Sequence, residues 1–370
     1  MILNSCSVTI RIIVKLLIII NTIFFTMCDK TTELQYIQSD YSEVTLEKET
    51  YVSIDYMFDE EGLFRPACIK QNPVTKEIVV LDAGDYCLDF FTESGKFIRK
   101  VGNPGQGPGD LLKALYMDID MEGDIYVYES GNSRVSIFSK SGKFIRFVRT
   151  PGMLEPEFVV TKDRNIVFNK PSSDYYIREY SRDGEILQEI GEITKYNVPN
   201  RQFFKGTTFD SYNILDVMYA ECFPFVDDSG NYIIFLKHLP VVKIYDKSGK
   251  LIKEQFIDKQ LEIEEYFNPA KLEELLEQIY YYHIILKNDT FYFLKTKSDK
   301  DSKGRKIKTI MCLDKNFNLI KKIYLPVEIK YLSQNIIPRI EFLNDNENDI
   351  LLTTPAECEI LRFSLKENKD

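Results

Sequence analysis

The sequence predicts an all-β chain: a six-bladed β-propeller whose last blade is completed by an N-terminal strand, with one short helical insert. Three observations predict it. A unit of short strands and tight turns recurs along the chain, its hairpin glycines recur at intervals of 47, 42 and, across an insert, 65 residues, and an alternating strand near the N-terminus has no neighbour of its own. Composition agrees: the 370 residues are 44% hydrophobic and 13% aromatic, with 25 Phe, 23 Tyr and no Trp, which supplies β-formers for a large core.

Four copies of the unit are plain. They begin at Glu77 (EIVVLDAGDYCLDFFTESGKFIRKVG), Gly123 (GDIYVYESGNSRVSIFSKSGKFIRFV), Arg164 (RNIVFNKPSSDYYIREYSRDGEILQEIG) and Gly230 (GNYIIFLKHLPVVKIYDKSGKLIKEQF). Each ends in a hairpin whose glycine (Gly95, Gly142, Gly184 or Gly249) suits the positive φ a tight turn demands. Four strands per unit at this spacing is the mark of propeller blades, because one small twisted sheet cannot bury both faces unless it stacks on neighbours. The fifth copy runs from HIILKNDTFYFLK to KIKTIMCLDKNFNLIKKIYL, with Asn316-Phe317-Asn318 where the others have a glycine turn. The sixth, IIPRIEFLNDNENDILLTTPAECEILRFSL, offers only three strands. The strand EVTLEKETYVSID from Glu43 supplies the fourth beside Phe363, closing the ring without a free edge.

Two inserts interrupt the repeat. Residues 192–221 separate the third and fourth units. Between the fourth and fifth, Leu272, Leu275, Leu276 and Ile279 recur at helical spacing after Asn268-Pro269, a helix-start signal. Both inserts join a blade's outer strand to the next inner strand, so they decorate the face where all such crossings emerge. That face is the expected binding surface.

The N-terminal residues have their own logic. Arg11 and Lys15 precede an apolar run from Leu16 to Ile20, and the stretch ends at Cys28; this is the shape of a signal peptide over 1–27. Phe25-Thr26-Met27-Cys28 is similar to a bacterial lipoprotein box, which implies lipidation of Cys28, a tether over 28–42 and a propeller over 43–370. Of the other cysteines, Cys68, Cys87, Cys222, Cys312 and Cys358 are odd in number and form no C-x-x-C pair, against a disulfide framework or zinc site. Cys312 and Cys358 read as small buried hydrophobes within strands.

The segment SGKFIRKVGNPGQGPGDL, Ser94 to Leu111, resembles the repeat of NHL-type six-bladed propellers, specifically lipoproteins of Bacteroidetes. The resemblance covers roughly Glu43 to Leu365 and implies a cell-envelope location with a ligand-binding or scaffolding part. It implies no agreed reaction.

Chemistry is weakly signalled. The glycine-rich loop 102–110 lacks the G-K-[ST] ending of a phosphate cradle and reads as a crossing loop. The formal charge of −10 becomes more negative once the basic leader is set aside, which argues against nucleic acid as a partner. Acidic turns such as Asp227-Asp228-Ser229-Gly230-Asn231 lack the calcium ladder and read as Asx turns. No G-x-S-x-G elbow is present. Arg65, Asp110, Arg134, Arg201 and Arg339 fall near blade tops or in rim inserts, where arginine can clamp a carboxylate; His238 and His283 fall near the same face. These seven are the binding-face candidates. The leading expectation is a non-enzymatic lipoprotein, held at a bacterial membrane and with no cofactor, whose rim binds a glycan, peptide or envelope protein. The alternative is a hydrolase or lyase using an axial calcium or other divalent metal, with His238 or His283 among its ligands.

Overall fold

The computed structural model describes residues 42–52, 62–150, 157–169, 174–193, 220–237, 241–257, 281–295, 299–300, 304, 306–325, 327, 338–344, 348–356 and 358–365. All lie in one compact unit, Tyr36–Asp370. The expected helix after Asn268-Pro269, the insert from 194 to 219, and Cys28 fall outside the described residues.

The described chain is a six-bladed β-propeller. Strand β1 is Ser42–Val52. Blade 1 comprises β2 (Pro66–Gln71), β3 (Ile78–Asp82), β4 (Cys87–Phe91) and β5 (Phe97–Val101). Blade 2 follows as β6 (Ala114–Ile119), β7 (Ile125–Glu129), β8 (Arg134–Phe138) and β9 (Phe144–Arg149), and blade 3 as β10 (Phe158–Val160), β11 (Ile166–Asn169), β12 (Tyr175–Tyr180) and β13 (Ile186–Glu192). Blade 4 is β14 (Cys222–Val226), β15 (Tyr232–Leu236), β16 (Val241–Tyr245) and β17 (Leu251–Phe256). Blade 5 holds β18 (Tyr281–Lys287), β19 (Thr290–Lys295), the short β20 (Asp299–Lys300), β21 (Lys306–Leu313) and β22 (Leu319–Leu325). Blade 6 holds β23 (Ile340–Phe342), β24 (Asp349–Thr354) and β25 (Glu359–Leu365).

Within blades 1 to 4 each strand pairs antiparallel with the next. The second and third strands of blades 1 and 2 are buried along their whole length, whereas their outer strands are mostly half-buried or exposed. Burial on both sheet faces explains why runs such as IVVLD and IYVYE are apolar without strict alternation.

Apolar clusters bridge every pair of neighbours and so close the circle. One spans blades 1 to 3, others join blades 3 and 4, 4 and 5, and 5 and 6, and the last joins Ile69 and Phe91 of blade 1 to Leu351 and Ile360 of blade 6. Aromatic pairs stitch these seams: Tyr128 to Phe168 (5.4 Å between centroids), Phe235 to Phe291 (4.9 Å) and Tyr292 to Phe342 (4.4 Å).

The N-terminal strand completes blade 6 as its position predicts, with Lys48 opposite Phe363 in antiparallel register. It does more than the sequence reading assigned to it. Its first half pairs parallel with β22, Val44 opposite Ile323, so β1 joins blades 5 and 6 into one continuous sheet.

The hairpins between third and fourth strands share one device. Thr92, Ser139, Ser181, Asp246 and Asp314 each accept, through a side-chain oxygen, the backbone N–H four residues ahead. At the left-handed position stand Gly95, Gly142, Gly184, Gly249 and, in blade 5, Phe317 at φ 66°. Gly142 has a second constraint, since an added Cβ would lie 2.7 Å from Val101 of the preceding blade. Outer-strand arginines reach across the same seams: Arg99 donates to the Ser141 carbonyl at 3.1 Å, and Arg146 pairs with Asp183 at 2.8 Å. Cys312 is buried as expected, but Cys358 lies in the turn before β25 at φ 56°, half-buried, its thiol 2.8 Å from the Phe64 carbonyl.

Candidate functional site

The first strand of each blade, β2, β6, β10, β14, β18 and β23, lines the axis. These strands enclose a cavity of about 340 Å³. Its two sides differ in chemistry. Blades 3 to 5 present Phe158, Phe223, Phe225 and Ile285, whereas blades 5, 6, 1 and 2 bring Lys287, Glu341, Lys70 and Asp118, alternating in sign around the ring.

The charged side is internally tied. Lys70 Nζ lies 3.4 Å from Asp118, and Lys287 Nζ donates to the Phe342 carbonyl at 3.0 Å. Burial by itself would lower the Lys70 ammonium, but Asp118 and its neighbours outweigh that and raise it, so it stays charged. Burial pushes the Glu341 carboxyl up, with Lys70 and Lys287 pulling back.

Where the inner strands begin, a second group of charges stands behind this lining. Glu157, which immediately precedes β10, accepts from Lys237 Nζ at 2.8 Å and from Arg339 Nη2 at 3.2 Å. All three are buried, Arg339 at 2% exposure. The Arg339 guanidinium lies 4.7 Å over the Tyr116 ring and Lys237 Nζ 5.4 Å over Phe223, so both cations also rest on aromatic faces. Burial would push the Glu157 carboxyl up, yet Lys237 and Arg339 hold it below its usual value. Arg339 Nε and Nη1 have no hydrogen-bond partner among the described residues. Lys237 has a second, longer contact with Glu221 at 3.9 Å.

His283 stands beside this group. Its Nδ1 accepts the Ile340 N–H at 3.1 Å, which places any ring proton on Nε2, and Nε2 has no partner among the described residues. Burial, then the nearby charges of Arg339 and Lys70, lower its pKa well below the ordinary imidazole value, so the ring is neutral.

Of the seven candidates, then, Arg339 and His283 meet next to the axial cavity. Arg65 is an exposed side chain whose backbone N–H donates to Asp82 at 2.9 Å. Arg134 is buried on Glu129 (2.9 Å) and donates to the carbonyls of Gln106, Gly107 and Asp110 at 3.1, 3.1 and 2.8 Å, clamping the glycine-rich loop from beneath. Asp110 belongs to that loop and accepts from Gly107 N at 3.1 Å. Arg201 and His238 lie outside the described residues. Glu157, Lys237, Lys70 and Tyr116 were not singled out from sequence; the available signal was the position of Glu157, Lys70 and Tyr116 at or next to the inner strands and of Lys237 directly after β15.

A second cleft, about 370 Å³, lies at the far ends of the inner strands among the turns carrying Asp120, Asp163, Asp227 and Asp228. Three of its carboxylates already have partners: Asp120 holds Arg164 at 2.8 Å, Asp228 holds Lys162 at 2.6 Å, and Asp227 caps its own turn through Ser229 N and Asn231 N at 2.8 Å each. Among the described residues no three His, Cys, Asp or Glu side chains gather as ligands of a metal ion, and the axial group sets one carboxylate between two cations.

Residues 69–211 match the family described as 6-bladed beta-propeller, DUF5128. Among solved structures, the chain is similar to a member of the DUF4221 family from Bacteroides vulgatus ATCC 8482 (11% identity, TM-score 0.55, covering 88% of this chain and 99% of that one). It is also similar to a Bacteroides fragilis NCTC 9343 protein described as exported (13%, 0.54, 89% and 100%) and to a streptogramin B lyase (14%, 0.51, 87% and 98%). At such identities the likeness is one of fold. No curated protein matches the chain in sequence.

Proposed function

We propose that this protein is an exported cell-envelope binding protein, lipid-anchored through Cys28, whose propeller takes up a peptide, glycan or partner protein in the axial cavity lined by its inner strands. The observation that carries the reading is the axial cavity, walled by aromatic side chains on one side and paired charges on the other. Such a two-sided lining orients a ligand, its apolar groups packing on the phenylalanines and its polar groups meeting the charged side. The NHL-type resemblance of Ser94 to Leu111 and the leader before Cys28 support the envelope location.

The test is capture from a solubilised envelope fraction by the purified full chain, set against a variant with the cavity filled, Ile285→Phe. A species retained by the first and lost from the second, with both proteins equally stable, supports the proposal. Equal retention by both, or none by either, removes it.

A further inference from the structure

One level of the axial channel is built from the next-to-last residue of each inner strand. Blades 6, 1 and 2 supply Glu341, Lys70 and Asp118 there, and blades 3, 4 and 5 supply Val159, Phe225 and Leu286. All of them line the cavity, so half of this ring reads acid, base, acid on consecutive blades and the facing half is apolar. Met121, in the turn after β6, borders the same cavity at 74% exposure, which opens the turn end of the channel to solvent.

Lys70 is the centre of the charged half, and its neighbours do not saturate it. Its Nζ lies 3.4 Å from Asp118 Oδ1 and donates no hydrogen bond to a described residue, although an ammonium carries three donors. Asp118 is fixed from behind, its Oδ2 accepting the Val160 N–H at 2.9 Å. The two side chains keep 20% and 13% of their surface open, and the cavity is what they line. On the other flank Glu341 feels the charges of Lys70 and Lys287 and accepts from the Gln71 backbone N–H, but its carboxylate forms no direct ion pair among the described residues.

The order of signs selects a ligand class. An anion bound at Lys70 alone would lie between two carboxylates, and a cation bound at either carboxylate alone would face that lysine. A ligand carrying both signs is attracted at each end. We infer that the axial cavity binds a zwitterion with an apolar body, its carboxylate at Lys70, its ammonium at Glu341 and its body against Phe225 and Leu286. The cavity volume, about 340 Å³, is in the range of small-ligand sites. The inference rests on the channel reading above and names the class of its ligand. That chemistry has two sources, a free α-amino acid with an apolar side chain or a dipeptide free at both ends.

Calorimetric titration of the full chain tests this with phenylalanine and alanyl-phenylalanine as the zwitterions. Phenethylamine, 3-phenylpropionate and 3-phenylpropionamide offer a similar body with only the cation, only the anion and neither. The expected result is that at least one zwitterion binds about tenfold or more tightly than all three analogues, the step expected when a second charge-assisted contact is made. Tighter binding of phenylalanine assigns a free amino acid, and tighter binding of the dipeptide a short peptide; both support the inference. Lys70→Met should bring the better zwitterion down to the affinity of phenethylamine, with Lys70→Arg restoring part, and Glu341→Gln should bring it down to that of phenylpropionate. The ligand comparison is read on the unaltered protein, so a variant that misfolds leaves the test intact. An analogue that matches the better zwitterion overturns the inference while channel binding stands. Silence from all the probes with folded protein overturns it too, and the envelope capture experiment then judges the wider reading separately.

Discussion

Lys48 lies directly across from Phe363, and in the same strand Val44 lies beside Ile323, so a single segment holds the third strand of blade 6 and the outer strand of blade 5. Removing residues 42–52 would bare two strand edges at once. The expected outcome is a melting temperature lower by about 10 °C or more and self-association visible by size-exclusion chromatography. An unchanged melting curve would show that the ring closes without β1.

Phe317 occupies a position that glycine fills in four other hairpins. Its φ of 66° is unfavourable for a side chain, yet the ring is buried against Phe235 and Phe291 at 5.8 and 5.6 Å. Packing outweighs backbone strain here. Phe317→Ala, which keeps the strain and loses the ring, should destabilise by about 3–5 kcal/mol. Phe317→Gly should be milder by roughly 1 kcal/mol despite being the larger truncation. Urea denaturation of the two variants side by side checks the order.

Arg134 gathers the glycine-rich loop through three carbonyls while neutralising buried Glu129. Arg134→Met leaves that carboxylate without its cation and should cost about 3 kcal/mol, with new protease cleavage inside 102–110. Lysine cannot reproduce the planar fork, so Arg134→Lys should recover less than half. Denaturant unfolding combined with limited proteolysis measures both effects.

Asp89 sits in mid-strand β4, one carboxylate oxygen 3.4 Å from the Cys87 thiol and the other without a partner among the described residues. Burial pushes its carboxyl from 3.8 up to about 7, with Lys100 pulling back only in part. A folded-state value above the unfolded one means the protonated form is favoured by folding. The contribution is complete below about pH 4 and is lost as pH rises through 7, a change of at most about 4 kcal/mol. His283 acts in the opposite sense, because its depressed value destabilises the fold as acid charges the ring. Comparing Asp89→Asn with the unaltered protein at pH 5 and pH 8 cancels the histidine. The variant should gain relative stability at pH 8, and an equal difference at both pH values would refute the assignment.

What could be read from the sequence follows burial. The second, third and fourth strands of each blade stood out because two-sided burial and hairpin glycines leave strong patterns, and Asn316-Phe317-Asn318 was recognisable as a turn by position alone. The inner strands were harder. FVV at β10 and IEF at β23 are three residues long, and their neighbours face an axis where charge is tolerated, so apolar runs break up. The axial group was legible only in part for the same reason. Arg339 drew notice by its place near a blade top and His283 as one of two histidines, whereas Glu157 and Lys237 look like ordinary surface charges until the ring folds them inward. The parallel pairing of β1 with β22 had no signature, because a strand that changes partners midway leaves no break in its alternation.

The double pairing of β1 has a mechanical side. A load drawn along the strand from its N-terminal end meets the bonds to β22 and β25 in shear, where many must give together, and the strand cannot be peeled from one neighbour without straining the other. When it does yield, detachment of that segment and rupture of the circle are the same event, so tension at this end would be felt by the whole ring.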